Sequence, residues 1–279
     1  MDKERALKEI QSNISRGNDR SASVQILELA NCFSDDPYTL LTCASLLKTI
    51  GDDDGARSLA KRVSEKAKDE DRLEAAKGLR GIGFPAEAEK VLSAASDNDS
   101  VARERMRILF DMRDYIGSSK EYEKISEPTL EDTAAMIGAV SACREHDRAV
   151  RLAEDLLKEA PHDLTVQRCY CAALSAAGRS KDAGKFVKDN LKKNKDSPDA
   201  DALASYYLWI EGKTASAGAY ASKAVKADPG NVAAMEVLAY TLAEKGKLKE
   251  ARIVAGAINE KDPGNPAVVR ILDMCRASK

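Results

Sequence analysis

The chain has 279 residues, of which 32% are charged and only 5% aromatic, and its net charge is -2. A balance this close to neutral provides no chain-wide field to draw in DNA, RNA or an anionic membrane, which argues against nucleic acid as a partner. Alanine is the commonest residue, which favours helix over sheet.

No stretch approaches the roughly 18 to 20 apolar residues of a membrane span, and the opening MDKERALKEI is charged from its second residue. The reading is therefore a cytoplasmic chain without membrane segments. Six cysteines at 32, 43, 143, 169, 171 and 275 are read as small buried packing residues of a reducing compartment. Cys169 and Cys171 would point about 200° apart on a helix, so they could not grip one metal together.

In chain order, Gly17 and Ala22 open a pattern that returns as Gly51 and Ala56, then Gly83 and Ala88, then Gly117 and Tyr122. It continues as Arg144 and Ala149, Gly178 and Ala183, Gly212 and Ala217, and finally Gly246 and Ala251. The glycines are separated by 34, 32, 34, 61, 34 and 34 residues, and the long interval holds two units with Arg144 in the vacant slot. A fixed period of this size is the mark of stacked supersecondary units. Before Gly246 the stretch AAMEVLAYTLAEK (233 to 245) places Met235, Leu238, Ala239 and Leu242 on one helical face. Glycine tolerates the left-handed conformation that ends such a helix. A second amphipathic stretch, LKEARIVAGAINEK, follows, with Ala251 where two helices cross too closely for a larger side chain. Asp-Pro-Gly-Asn closes the unit at 228 to 231 and again at 262 to 265, because proline cannot continue a helix.

These residues resemble the tetratricopeptide repeat, whose 34-residue units are antiparallel helical hairpins. Counting from Val232, the resemblance falls on Met235, Leu238, Ala239, Leu242, Gly246, Ala251, Ile258 and Pro263. The unit from Pro198 offers Ala204, Ser205, Leu208, Gly212, Ala217, Ala224 and Pro229, and the one before it Tyr170, Cys171, Leu174, Gly178 and Ala183. The unit from Leu130 keeps Ala149 and Pro161, while those from Lys3, Pro37 and Asp69 keep mainly the glycine and alanine pair. The middle unit, from about Arg103, has Gly117 and Tyr122, and its second helix must stop before Pro128. The resemblance implies an all-α, right-handed superhelical solenoid of about eight hairpins. Divergent hairpins occupy 1 to 129 and better-matching ones 130 to 265, and a capping helix at 266 to 279 covers the last apolar face. Residues 103 to 128 are a candidate hinge. KDNLKKNKDSPD (188 to 199) reads as a solvated polar connection and a second flexible point.

Catalysis is not expected. There are two histidines: His146 is placed in an inter-helix turn and His162 in the loop after Pro161, without metal-ligand spacing. Asp52, Asp53 and Asp54 suit a helix start, where negative charge meets the helix dipole, and they lack the alternation of a calcium loop. No phosphate-binding loop, serine elbow or dinucleotide fingerprint occurs, and no cofactor is expected.

The resemblance also implies that places 2, 5, 9, 12 and 13 of each unit face a concave groove that holds a protein or peptide segment. Projected so, Tyr206, Trp209 and Tyr240 form an aromatic patch, and Trp209 is the only tryptophan. Lys48, Lys77, Arg80 and Arg107 form a basic flank suited to an acidic segment, with Arg168 more isolated. Gly138, Ser141, Ala142, Ala172, Ser175 and Ala176 leave the wall between them small-sided. The asparagine-containing basic clamp by which some relatives hold chaperone C-termini is absent. The resulting expectation is a non-catalytic interaction module, with an RNA-associated repeat protein or a structural subunit of a larger complex as alternatives.

Overall fold

Helix starts follow from local chemistry. Asp36, Asp52, Asn98, Asp114, Asp163 and Asn231 each accept a hydrogen bond from a backbone N–H of the first helical turn that follows, satisfying donors the helix leaves open. Thr129 and Asp132 form a reciprocal capping box. Pro37, Pro85 and Pro198 occupy first-turn positions, where proline costs no hydrogen bond.

The computed structural model describes residues 2–262 and 265–277, and among them it contains seventeen helices and no strand. The chain divides into two compact units, Met1–Met112 and Arg113–Lys279. Unit 1 holds α1 (Lys3–Ser15), α2 (Asp19–Cys32), α3 (Pro37–Ile50), α4 (Asp53–Lys66), α5 (Arg72–Gly81), α6 (Pro85–Leu92) and α7 (Asp99–Asp111). Unit 2 holds α8 (Tyr115–Tyr122), α9 (Leu130–Ala142), α10 (His146–Glu159), α11 (Leu164–Ala176), α12 (Ser180–Lys193), α13 (Pro198–Ile210), α14 (Thr214–Ala227), α15 (Val232–Glu244), α16 (Leu248–Lys261) and α17 (Pro266–Ala277). The sequence reading divides the array at 129/130, whereas the compact units divide at 112/113. α17 packs on α15 and α16, as a cap should. Pro263 of the second Asp-Pro-Gly-Asn, and Ser278 and Lys279 at the end of the expected cap, lie outside the described residues.

Left-handed residues occur at Gly17, Gly51, Gly83, Arg113, Arg144, Gly178, Gly212 and Gly246, and also at Asp196 between α12 and α13. The expected turn at Gly117 is therefore corrected to Arg113, with φ 64°. Asp114 is the reason: its carboxylate accepts the Gly117 N–H at 2.9 Å, which starts α8 at Tyr115 and leaves Gly117 inside the helix, directly under the capping side chain. Asp52 and Gly55 repeat this arrangement at the start of α4. The small residue five places after Arg113 is then Ser118, 1% exposed, and not Tyr122. With this register every crossing residue, from Ala22 to Ala251, is buried. α7 starts at Asp99 and not at Arg103, and α6 and α8 are each only 8 residues long.

Arg144 takes the left-handed conformation, φ 65°, without glycine's freedom. Arg144→Gly is expected to raise stability by about 0.5–1 kcal/mol, the relief of backbone strain exceeding the added entropy of the unfolded chain. An unchanged or lowered midpoint in urea would show that this turn is not strained.

Candidate partner-binding face

In unit 2 the first helices of successive hairpins, α9, α11, α13, α15 and α17, each pack on the next and form one layer. The aromatic residues singled out in the sequence lie together on it. Trp209 of α13 stacks on Tyr240 of α15 with ring centroids 4.8 Å apart and planes 14° apart. Tyr206, one turn before Trp209, is 6.4 Å from it and tilted by 49°. The Arg168 guanidinium of α11 lies over the Tyr206 ring at 4.5 Å, a cation–π contact. Arg168 also bridges to Glu236 of α15 at 2.9 Å, crossing α13, and the other Glu236 oxygen accepts a hydrogen bond from Asn265 at 3.0 Å. Four consecutive first helices are thereby tied by one chain of side-chain contacts.

Tyr240 is 9% exposed, while Tyr206 and Trp209 are half-buried. The patch thus joins hairpins and is only partly buried at Tyr206 and Trp209. Burial pushes the Tyr206 and Tyr240 hydroxyls up, against the opposing pull of Arg168 and Arg270 respectively, so both stay protonated at neutral pH. Trp209 Nε1 donates to Glu244 at 3.1 Å, and the other Glu244 oxygen accepts from Thr214 at 2.7 Å. Beside the ladder, Ala142 and Ala176 are exposed, Gly138, Ser141, Ala172 and Ser175 are half-buried, and Ser175 donates to Glu211 at 2.9 Å. The result is an aromatic step rising from a low wall.

Sequence reasoning did not find Glu236 or Asn265. The available signal was that Arg168 and Glu236 hold the same fifth place of units two repeats apart, with opposite charge.

Lys77 and Arg80 belong to α5 in unit 1. Lys77 pairs with Glu74 at 2.6 Å on an exposed surface. Arg80, only 12% exposed, is committed to Glu104 at 2.6 Å and Asp111 at 3.5 Å on α7. Lys48 pairs with Asp53 at 2.9 Å and lies 5.8 Å from the Phe84 ring centroid. The expected basic flank is thus largely neutralised by local carboxylates.

Of the remaining candidates, His162 is an exposed turn residue, but His146 is the half-buried first residue of α10 and not a loop residue. Asp52 caps α4, with Asp53 and Asp54 in its first turn. Among the described residues no group of histidine, cysteine and acidic side chains is placed to hold a metal, and no helix is long and apolar enough to cross a membrane. Cys43, Cys171 and Cys275 are buried, Cys143 and Cys169 half-buried, and Cys32 exposed. The packing expectation is therefore corrected at Cys32, which ends α2 on its solvent side. Burial pushes the Cys169 and Cys171 thiols up to about 12, which keeps them inert.

Residues 208–275 match the tetratricopeptide repeat family model. The fold is that of a tetratricopeptide repeat protein. A tetratricopeptide repeat protein from Parabacteroides merdae superposes with a TM-score of 0.50 at 12% identity, over 86% of this chain and 98% of that one. Yeast Tom70 gives 0.46 at 15% identity, over 100% of this chain and 64% of Tom70. The tetratricopeptide repeat protein TTC0263 of Thermus thermophilus gives 0.43 at 15%, over 63% of this chain and 98% of that one. No curated protein matches the chain significantly. The family match lies on α13 to α17, the part of the repeat array that carries Trp209 and Tyr240.

Proposed function

We propose that the chain is a non-catalytic protein-interaction module of the cytoplasm, which holds a peptide or protein segment on the first-helix layer of unit 2. The aromatic ladder of Tyr206, Trp209 and Tyr240 carries this reading. Rigid amphipathic rings are efficient anchors, because they bury large apolar area with little loss of side-chain freedom. Arg168, over the Tyr206 ring and paired with Glu236, marks the polar edge of the anchor. The low wall of Gly138, Ala142, Ala172 and Ala176 lets a bound backbone approach closely. Free thiols suit a reducing compartment. Lys77 and Arg80 are not needed for this reading.

Affinity capture from native extract with the wild-type chain and a Tyr206→Ala, Trp209→Ala double variant tests it. The expected result is a captured protein whose retention falls about 100-fold or more in the variant, as for paired aromatic anchors, with helical circular dichroism unchanged. Equal capture by both chains would discard the aromatic face.

A further inference from the structure

Glu211 and Glu244, on the first-helix layer of unit 2, form no ion pair among the described residues. Glu244 accepts only from neutral donors, Trp209 Nε1 at 3.1 Å and the Thr214 hydroxyl at 2.7 Å. Glu211 accepts from the Ser175 hydroxyl at 2.9 Å. An ionised carboxylate has about four acceptor sites, so both groups keep capacity for a charged donor, and Glu244 is exposed. The cations nearby are directed elsewhere. The Lys245 ammonium lies beside Gly218 of α14, Lys247 pairs with Glu250 at 3.2 Å, and Arg179 pairs with Asp182 at 2.8 Å. Arg270 faces the Tyr240 hydroxyl, and Lys213, exposed in the turn before α14, pairs with neither carboxylate.

Earlier along the same three helices, a ring and a carboxylate share a cation. The Arg168 guanidinium of α11 lies over Tyr206 of α13 and bridges to Glu236 of α15. Trp209 follows Tyr206 by about one turn, and Glu244 follows Glu236 by about two. Ring and carboxylate thus recur and are joined directly through Trp209 Nε1. The cation does not recur, because α11 carries Ala172 and Ser175 at the groove places that follow Arg168. We propose that the bound segment supplies this cation, as an arginine whose guanidinium lies against the exposed part of Trp209 and pairs with Glu244. The inference rests on the groove reading above and names the chemistry of its partner. Arginine suits the place better than lysine, since a planar guanidinium both stacks on an aromatic ring and gives parallel hydrogen bonds to a carboxylate. An acidic segment or a phosphate backbone would be repelled by Glu211 and Glu244.

The test titrates the full chain with a blocked nonapeptide of alanine and leucine carrying one central arginine. The same peptide with citrulline, which keeps the shape and loses the charge, is the comparison. Binding is followed through the emission of Trp209, the only tryptophan. At low ionic strength the arginine peptide is expected to bind about tenfold tighter than the citrulline peptide. That preference should vanish in Glu244→Gln, which keeps the side chain's size and an acceptor for the Trp209 N–H, with circular dichroism checking that the variant folds. Equal binding of the two peptides, a preference that survives Glu244→Gln, or no binding of the arginine peptide would each overturn the proposal. Affinity capture judges the groove reading separately. A partner lost by the Tyr206→Ala, Trp209→Ala variant but fully retained by Glu244→Gln would leave the groove standing and refute the arginine.

Discussion

Replacing Arg80 with methionine is expected to destabilise unit 1 by about 3–5 kcal/mol, the cost of leaving a buried charge without its partner. Glu104 is 1% exposed and accepts a 2.6 Å hydrogen bond from Arg80 Nε, while the same guanidinium reaches Asp111 at 3.5 Å. Both acids are on α7, so Arg80 is the charged tie between α5 and α7. Its loss leaves the Glu104 carboxylate facing protein with little water available. Methionine replaces the stem's packing but not its charge. Amide hydrogen exchange should show protection falling first in α5 and α7. The companion variant Arg80→Met, Glu104→Leu should recover most of the loss, because a pair of apolar groups avoids the desolvation cost altogether. If the double variant were as unstable as the single one, packing and not charge would be the dominant contribution of Arg80.

Leu174→Ala is expected to cost about 2–5 kcal/mol, and toward the upper end of that range. Leu174 is fully buried in the cluster that contains Ile137, Val140, Ala149, Ala153 and Ala183. Alanine at the helix crossings is what lets the hairpins pack closely, and it is also what prevents repair, since these short side chains cannot swing into a void. The cost of a cavity rises with the volume that neighbours fail to fill. Urea denaturation of the variant checks the magnitude, and a loss below about 1 kcal/mol would mean that the hairpins around α11 collapse more readily than their alanine content implies.

Local chemistry repeated along the chain made most of the fold legible. Left-handed turns at Gly51, Gly178, Gly212 and Gly246, helix starts at Asp52 and Asn231, and crossings at Ala183 and Ala217 each depend on neighbours a few residues away. Arg144 was legible too, because the period on either side of it was intact. The middle unit was misread for the same reason: Gly117 imitates the period, but the Asp114 cap competes for the same residues and wins, moving the turn to Arg113. The aromatic patch could be projected because Tyr206, Trp209 and Tyr240 hold repeating places on successive first helices.

Thus the sequence by itself determined the all-helical repeat, its period, its crossing residues outside the middle unit and the grouping of the aromatic residues, since each follows from backbone preferences and from which residues recur at equivalent places. Only the tertiary structure decided which charges are spent and which remain. Arg80 was indistinguishable in sequence from an available groove cation until packing placed Glu104 against it. Arg168 acquired Glu236 across an intervening helix, 68 residues away. The stretch 188 to 199, a solvated connection when read linearly, is helical as far as Lys193, because α12 runs from Ser180 to Lys193 and α13 already starts at Pro198. Ion pairing depends on distance in space, and between repeats that distance is set by packing and not by separation along the chain.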